Sequence, residues 1–198
     1  MTLTVGQWAS YQNNAMTLPR PFLSLSLAAL LTACSPSPAP SSFTAIDQQG
    51  VYALIHGKDQ IEGQLYEDMT RTAYAMPTTR WVLDVYAPQL YDYLLAHGEL
   101  AYERDWNDCV KYTAHAVSAA YTAYGADKGR LAGLSLAVGH FTFVPIQNGS
   151  VGKAHVIVMF VVNDQDGNGP KLFFFEPQTR QEYPMAWEEA ISCQNLRM

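Results

Sequence analysis

Along the front of the chain apolar residues recur at three- and four-residue spacing. Towards the back they alternate or run continuously. The first pattern predicts helices and the second strands. From Asp105 the positions Trp106, Cys109, Val110, Thr113, Val117, Ala120, Tyr121 and Tyr124 keep the helical period. Asp105 is placed to cap that helix, with Asp108 three residues later as a loose capping box. Gly125 is its natural stop. Upstream, Asp59 to Thr72 predicts an amphipathic helix with Ile61, Leu65, Tyr66 and Met69 on one face, broken by Pro77. Trp81 to Tyr86 is apolar and β-prone. Pro88 to His97 predicts a helix with Leu90, Tyr91, Leu94 and Leu95 inward and Gly98 as the stop. Phe43 to His56 is compatible with a short helix or a strand.

In the back half, His140/Thr142/Val144 alternate with Phe141/Phe143, which predicts a strand. Ala154 to Val162 is apolar on both faces and reads as a central strand. Lys171 to Gln178 is a third strand ending at Pro177, and Asn163 to Gly169 is the hairpin-type turn between the two. Ala186 to Cys193 predicts a short closing helix. Helices followed by antiparallel strands make the expected class α+β, with N-terminal helices and a cysteine-bearing helix packed on an antiparallel sheet.

Composition narrows the class of protein. Of the 198 residues, 48% are apolar and 15% charged, as in a chain that folds. The net charge of −6, with no Lys/Arg cluster after Arg20, argues against nucleic acid as a partner. The 12 tyrosines suit a core with polar tips or a cleft wall that binds peptide or sugar.

The front of the chain reads as an export segment. Arg20, the apolar run Phe22 to Leu31 and the small residues around Ala33 have the layout of a signal peptide. Leu31-Thr32-Ala33-Cys34 resembles the lipobox of bacterial lipoproteins, which implies lipidation of Cys34 and an anchored protein, outer-membrane and periplasm-facing given Ser35. The expected organisation is a possible misassigned start over 1–15, a lipoprotein signal over 16–34, a Ser/Pro tether over 35–43 and one globular domain over 44–198.

Candidate chemistry sits at the ends of three predicted elements. Cys109 lies in the first turn of its helix, where the helix dipole favours a thiolate, opposed by Asp105 and Asp108. His155 leads the central strand and Glu176 ends its neighbour, so a hairpin makes them adjacent. Cysteine, imidazole and carboxylate form a nucleophile–base–orienter set. Asn107-Asp108-Cys109, Lys153-Ala154-His155-Val156 and Phe174-Phe175-Glu176-Pro177 together resemble the transglutaminase-like and papain-like cysteine peptidase superfamily, with Glu where that pattern has Asp. The resemblance runs from Asp105 to Thr179. It implies a peptidase or amidase in which Cys109 attacks an amide carbonyl, His155 moves the proton and Glu176 orients His155. Peptide or protein, including cell-wall peptide, is then the substrate, with Gln178 and Trp106 as substrate-binding residues and no cofactor or metal.

Other readings stand beside it. His140, after Val138-Gly139, is a rival base. Once Cys34 is lipidated, Cys109 and Cys193 are the remaining cysteines, and in an oxidising compartment they can pair. The chain is then a non-catalytic binding or structural lipoprotein stapled by that disulfide, with Tyr and Trp residues lining a binding face. Asp164-Gln165-Asp166-Gly167-Asn168-Gly169 matches the first half of a calcium loop, but Glu176 misses the closing position by one, so the stretch reads as a solvated turn.

Overall fold

The computed structural model describes residues 41–198 except 57–70, 102–107, 148–149, 191 and 194. In chain order the elements are β1 (Phe43–Asp47), α1 (Gln48–His56), β2 (Ala73–Pro77), α2 (Thr79–Trp81), a π-helical turn (Val82–Tyr86), α3 (Ala87–His97) and α4 (Cys109–Ala126). Then come β3 (Ser135–Leu136), β4 (Val138–Phe143), β5 (Ile146–Gln147), β6 (Ser150–Val151), β7 (His155–Val162), β8 (Lys171–Glu176), β9 (Gln181–Glu182), α5 (Trp187–Ala190) and β10 (Asn195–Arg197). The class is α+β, as expected.

The central sheet has the order β10-β4-β7-β8-β9, and every pairing in it is antiparallel. A smaller sheet, β1-β2-β3, pairs β1 with β2 antiparallel and β2 with β3 parallel. Ala137 stitches the two together: its N–H donates to Ala75 O and its carbonyl accepts from Val161 N–H.

β7 is buried from Val156 to Val162 because both sheet faces are covered. Alternate side chains serve different cores. Val158, Phe160 and Val162 pack with Phe173 and Phe175 against Ala116, Ala119, Ala120 and Ala123 of α4. The alanines let the helix backbone lie close to the sheet. On the other face Ile157, Met159 and Val161 join Phe141, Phe143 and α1 residues Val51 and Ile55.

Several expectations need correction. Trp81–Tyr86 is helical, not a strand. Thr78 caps the start by accepting Trp81 N–H, and Asp164, far along the chain, accepts Thr79 N–H at 2.6 Å. Caps contributed by tertiary structure override local β-propensity here. In α3, Leu90 and Leu94 are buried as expected and Gly98 ends the helix in the left-handed region (φ 71°). Tyr91 and Leu95 instead face solvent, at 41% and 55% exposure. In α4 the buried stripe runs through Tyr112, Thr113, Ala116, Ala119, Ala120, Ala123 and Tyr124, while Val110 and Tyr121 are exposed. The last helix does not close the chain, since β10 follows and adds an edge to the sheet. The expected helix Asp59 to Thr72, the cap at Asp105 and residues 1–40, with the leader and Cys34, lie outside the described residues, apart from Arg71 and Thr72.

Asp108 is the N-cap of α4: its Oδ1 accepts the N–H groups of Val110 and Lys111, both at 3.1 Å. Asp108→Ala is expected to cost about 1 kcal/mol. Chemical denaturation checks this, and a midpoint equal to that of the parent would exclude a capping role.

Candidate functional site

The candidate residues sit at the ends of three elements. The first turn of α4 presents Cys109, β7 opens with His155, and β8 closes with Glu176. Helix and strand are joined by a buried hydrogen bond: Thr113, one turn after Cys109, donates its Oγ1–H to Val156 O at 3.0 Å. That bond fixes the start of α4 beside the start of β7. Val158 pairs with Phe175, so His155 and Glu176 are diagonal neighbours on one face of the hairpin.

His155 Nε2 lies 2.6 Å from Glu176 Oε2, and the two side chains are only 24% and 13% exposed. The carboxylate is held at its other oxygen too, where Oε1 accepts Gln178 N–H at 3.1 Å. With Nε2–H donating to the carboxylate, Nδ1 is the acceptor nitrogen of the ring. Phe143 packs against the imidazole at 5.9 Å between centroids, near edge-on. Each sequence element contributes one constraint: the strand start sets the ring, the strand end sets the carboxylate, and the turn after Pro177 supplies the N–H.

Around this pair stand two tyrosines and an arginine. Tyr183 donates to Glu189 Oε1 at 3.1 Å. Its pKa is pushed up to about 12, first by burial, then by the hydrogen bond to Glu189 and by the charges of Glu189 and Glu176. Tyr112 is also raised, chiefly by burial; Arg180 works against this and Glu176 with it. Arg180 has a left-handed backbone (φ 57°), uncommon for a residue with a side chain, and its N–H donates to Glu176 O at 2.8 Å. Its guanidinium lies 4.6 Å from the centroid of Tyr91. Arg180 and Tyr91 also line a cleft of about 600 Å³, together with Leu83, Pro88, Asp92 and Gln181 among others. The sequence reading missed Arg180 and Tyr91. Nothing in a Thr-Arg-Gln string announces a left-handed turn, and Tyr91 counts there as a core position of α3.

The remaining candidates are dispersed or differently used. Cys109 is half-buried, and no hydrogen bond of its thiol occurs among the described residues. Cys193 is buried in the core on the opposite sheet face to α4 and is not disulfide-bonded, so the Cys109–Cys193 staple of the alternative reading is not formed. Gln178 is exposed, and its backbone, rather than its side chain, holds Glu176. Trp106 lies outside the described residues. His140 is opposite Val158 in mid-strand, with its pKa lowered by burial and by Arg197, away from Glu176. In the Asp164–Gly169 turn the carboxylates serve the protein itself. Asp164 takes Thr79 N–H and Oγ1–H and pairs with Lys171 Nζ at 2.9 Å, while Asp166 accepts from Asn168.

No family model matches the chain, and no curated protein does. Among solved structures the fold is similar to that of Polyporus squamosus lectin bound to the human-type influenza-binding epitope Neu5Acα2-6Galβ1-4GlcNAc. The TM-score is 0.55 at 18% identity, over 77% of this chain and 49% of that one. A second structure, a PSL1a–E64 complex, superposes with a TM-score of 0.49 at 19% identity, over 77% of this chain and 49% of that one. The chain therefore spans about half the length of the solved structures it matches, and at such identities the likeness is one of fold. The expected membership of a transglutaminase-like or papain-like peptidase superfamily is not met: a solved structure that shares the fold is a lectin. With it fall the peptidase or amidase activity and the hydrolase and thiol-protease descriptions; the signal-peptide and lipoprotein descriptions likewise find no counterpart. The physical reason is that three residues at the ends of common elements are a short signature, and one scaffold hosts unrelated functions.

Proposed function

We propose that the chain is a non-catalytic binding module that takes a carbohydrate at the sheet edge formed by the start of β7 and the end of β8. The observation that carries this is the closed His155–Glu176 pair, 2.6 Å apart and tied to Gln178 N–H. A pair satisfied at Nε2 and at both carboxylate oxygens is a fixed polar surface. It offers Nδ1 and spare carboxylate lone pairs to ligand hydroxyls without rearranging. Arg180 supplies donors, and the half-exposed ring of Tyr91 supplies an apolar face with a polar tip. Concave sites of this kind combine a few placed polar groups with aromatic walls. The lectin with the similar fold binds a sialylated trisaccharide, which supports carbohydrate as the ligand class.

The test is calorimetric titration of the full chain with Neu5Acα2-6Galβ1-4GlcNAc and with the unsialylated Galβ1-4GlcNAc. Saturable binding to either sugar is expected, weakened about tenfold in Glu176→Gln, since a hydrogen bond to a charged group contributes roughly 1.5–3 kcal/mol. A parallel assay follows amide hydrolysis of a peptide library. Turnover that disappears in Cys109→Ala would overturn the non-catalytic reading, and absence of binding to both sugars would remove carbohydrate as the ligand class.

A further inference from the structure

A second polar cavity, of about 320 Å³, lies well away from the sheet-edge site. It is lined by Arg71, Tyr74, Tyr121, Ser135 and Met198. Tyr121 is twelve residues along α4 from Cys109, a separation of about 18 Å along the helix axis. Tyr74 on β2 pairs in register with Ser135 on β3, so two hydroxyl-bearing side chains are brought together by the small sheet. Arg71 precedes β2, and α4 supplies Tyr121 from the helix layer.

The donor balance of this cavity is one-sided. Tyr74 is 2% exposed, yet its hydroxyl has no hydrogen-bond partner among the described residues. A buried hydroxyl without a partner costs about 1–3 kcal/mol, so such groups are rare unless something uses them. Arg71 forms no ion pair among the described residues. Tyr121 and Ser135 add two more hydroxyls, and among the described residues no Asp or Glu side chain lines the cavity. Burial raises the pKa of both tyrosines, opposed at Tyr74 first by the Arg71 backbone and at Tyr121 by the Arg71 charge, so both phenols keep the proton they have to donate at neutral pH.

We infer that this cavity is a binding site for a small oxyanion, a carboxylate or phosphate group, held by the Arg71 guanidinium and the Tyr74, Tyr121 and Ser135 hydroxyls. Among the described residues every lining polar side chain can donate, and the one charge is positive, which is the chemistry an oxyanion requires. The site is independent of the carbohydrate reading, since it shares no residue with the His155–Glu176 edge.

The test is thermal denaturation and calorimetric titration of the full chain with inorganic phosphate and with acetate, at constant ionic strength set by chloride. A saturable rise in melting temperature with one of the two anions is expected, and which anion produces it tells phosphate from carboxylate. Binding should weaken about tenfold in Arg71→Met and in Tyr74→Phe, each of which removes one charge-assisted hydrogen bond. Tyr74→Phe carries its own control. Without ligand it leaves the melting temperature unchanged or higher, because an unpartnered hydroxyl has been removed, while the anion-dependent rise shrinks. No saturable response to either anion beyond that to chloride would overturn the proposal, as would a response of equal size in both variants.

Discussion

Phe160→Ala is expected to destabilise the protein by about 3–5 kcal/mol, the usual cost of removing a fully buried aromatic side chain. Phe160 is at the middle of β7, the central strand, between Val138 of β4 and Phe173 of β8. It is fully buried, with the Tyr86 ring 5.2 Å away and the Phe175 ring 6.5 Å away. Tyr86 belongs to the π-helical turn, and its hydroxyl donates to Ala116 O in α4 at 2.9 Å. The cavity left by alanine therefore opens where strand, π-helical turn and α4 converge, and no side chain there is free to fill it. Against a typical total of roughly 5–15 kcal/mol, this loss leaves a marginal fold. Urea denaturation of the variant beside Val151→Ala, a residue 75% exposed, is the measurement. A Phe160→Ala midpoint near that of Val151→Ala would show that the core is not organised around β7.

Gly139→Val is expected to detach β10 from the sheet at a cost of about 2–4 kcal/mol, combining overpacking with the lost burial of one leucine. Gly139 is in β4, and any Cβ there would run into the carbonyl of Arg197 and the Met198 side chain. Backbone cannot yield as a side-chain tip does, so the edge strand has to move. Leu196, 2% exposed within the core on the α1 side, would leave with it. Hydrogen exchange reads this directly. Protection of amides in Asn195–Arg197 should fall to that of exposed segments, while β7 and β8 stay protected. Unchanged protection in β10 would mean that the sheet absorbs the side chain some other way.

Much of the back half was legible before folding because its signals are local. The two-faced apolar run of β7, the polar turn after it and the Pro-terminated β8 predict a hairpin. The hairpin in turn predicts that His155 and Glu176 are neighbours, as the 2.6 Å contact shows. The start of α4 was legible only to within a turn: the pattern placed the cap at Asp105 with Asp108 as its box partner, whereas Asp108 is itself the N-cap and Cys109 the first helical residue. The helical start at Trp81 was not, because one of its stabilising groups, the Asp164 carboxylate, arrives from a turn 85 residues away. The inward face of α4 was misjudged because alanines mark it: the large residues Val110 and Tyr121 point outward where the helix needs close approach to the sheet.

By itself the sequence determined the α+β class, the hairpin that joins imidazole to carboxylate, and the placement of a cysteine at a helix start. Each of these follows from period, turn chemistry and capping within a few residues. Only the tertiary structure decided that Cys109 and Cys193 are not joined by a disulfide, that Arg180 leans over Tyr91, and that Tyr74 and Arg71 face one cavity. Those outcomes depend on which distant surfaces pack together. That is set by the summed burial of two cores, and no local stretch of chain encodes it.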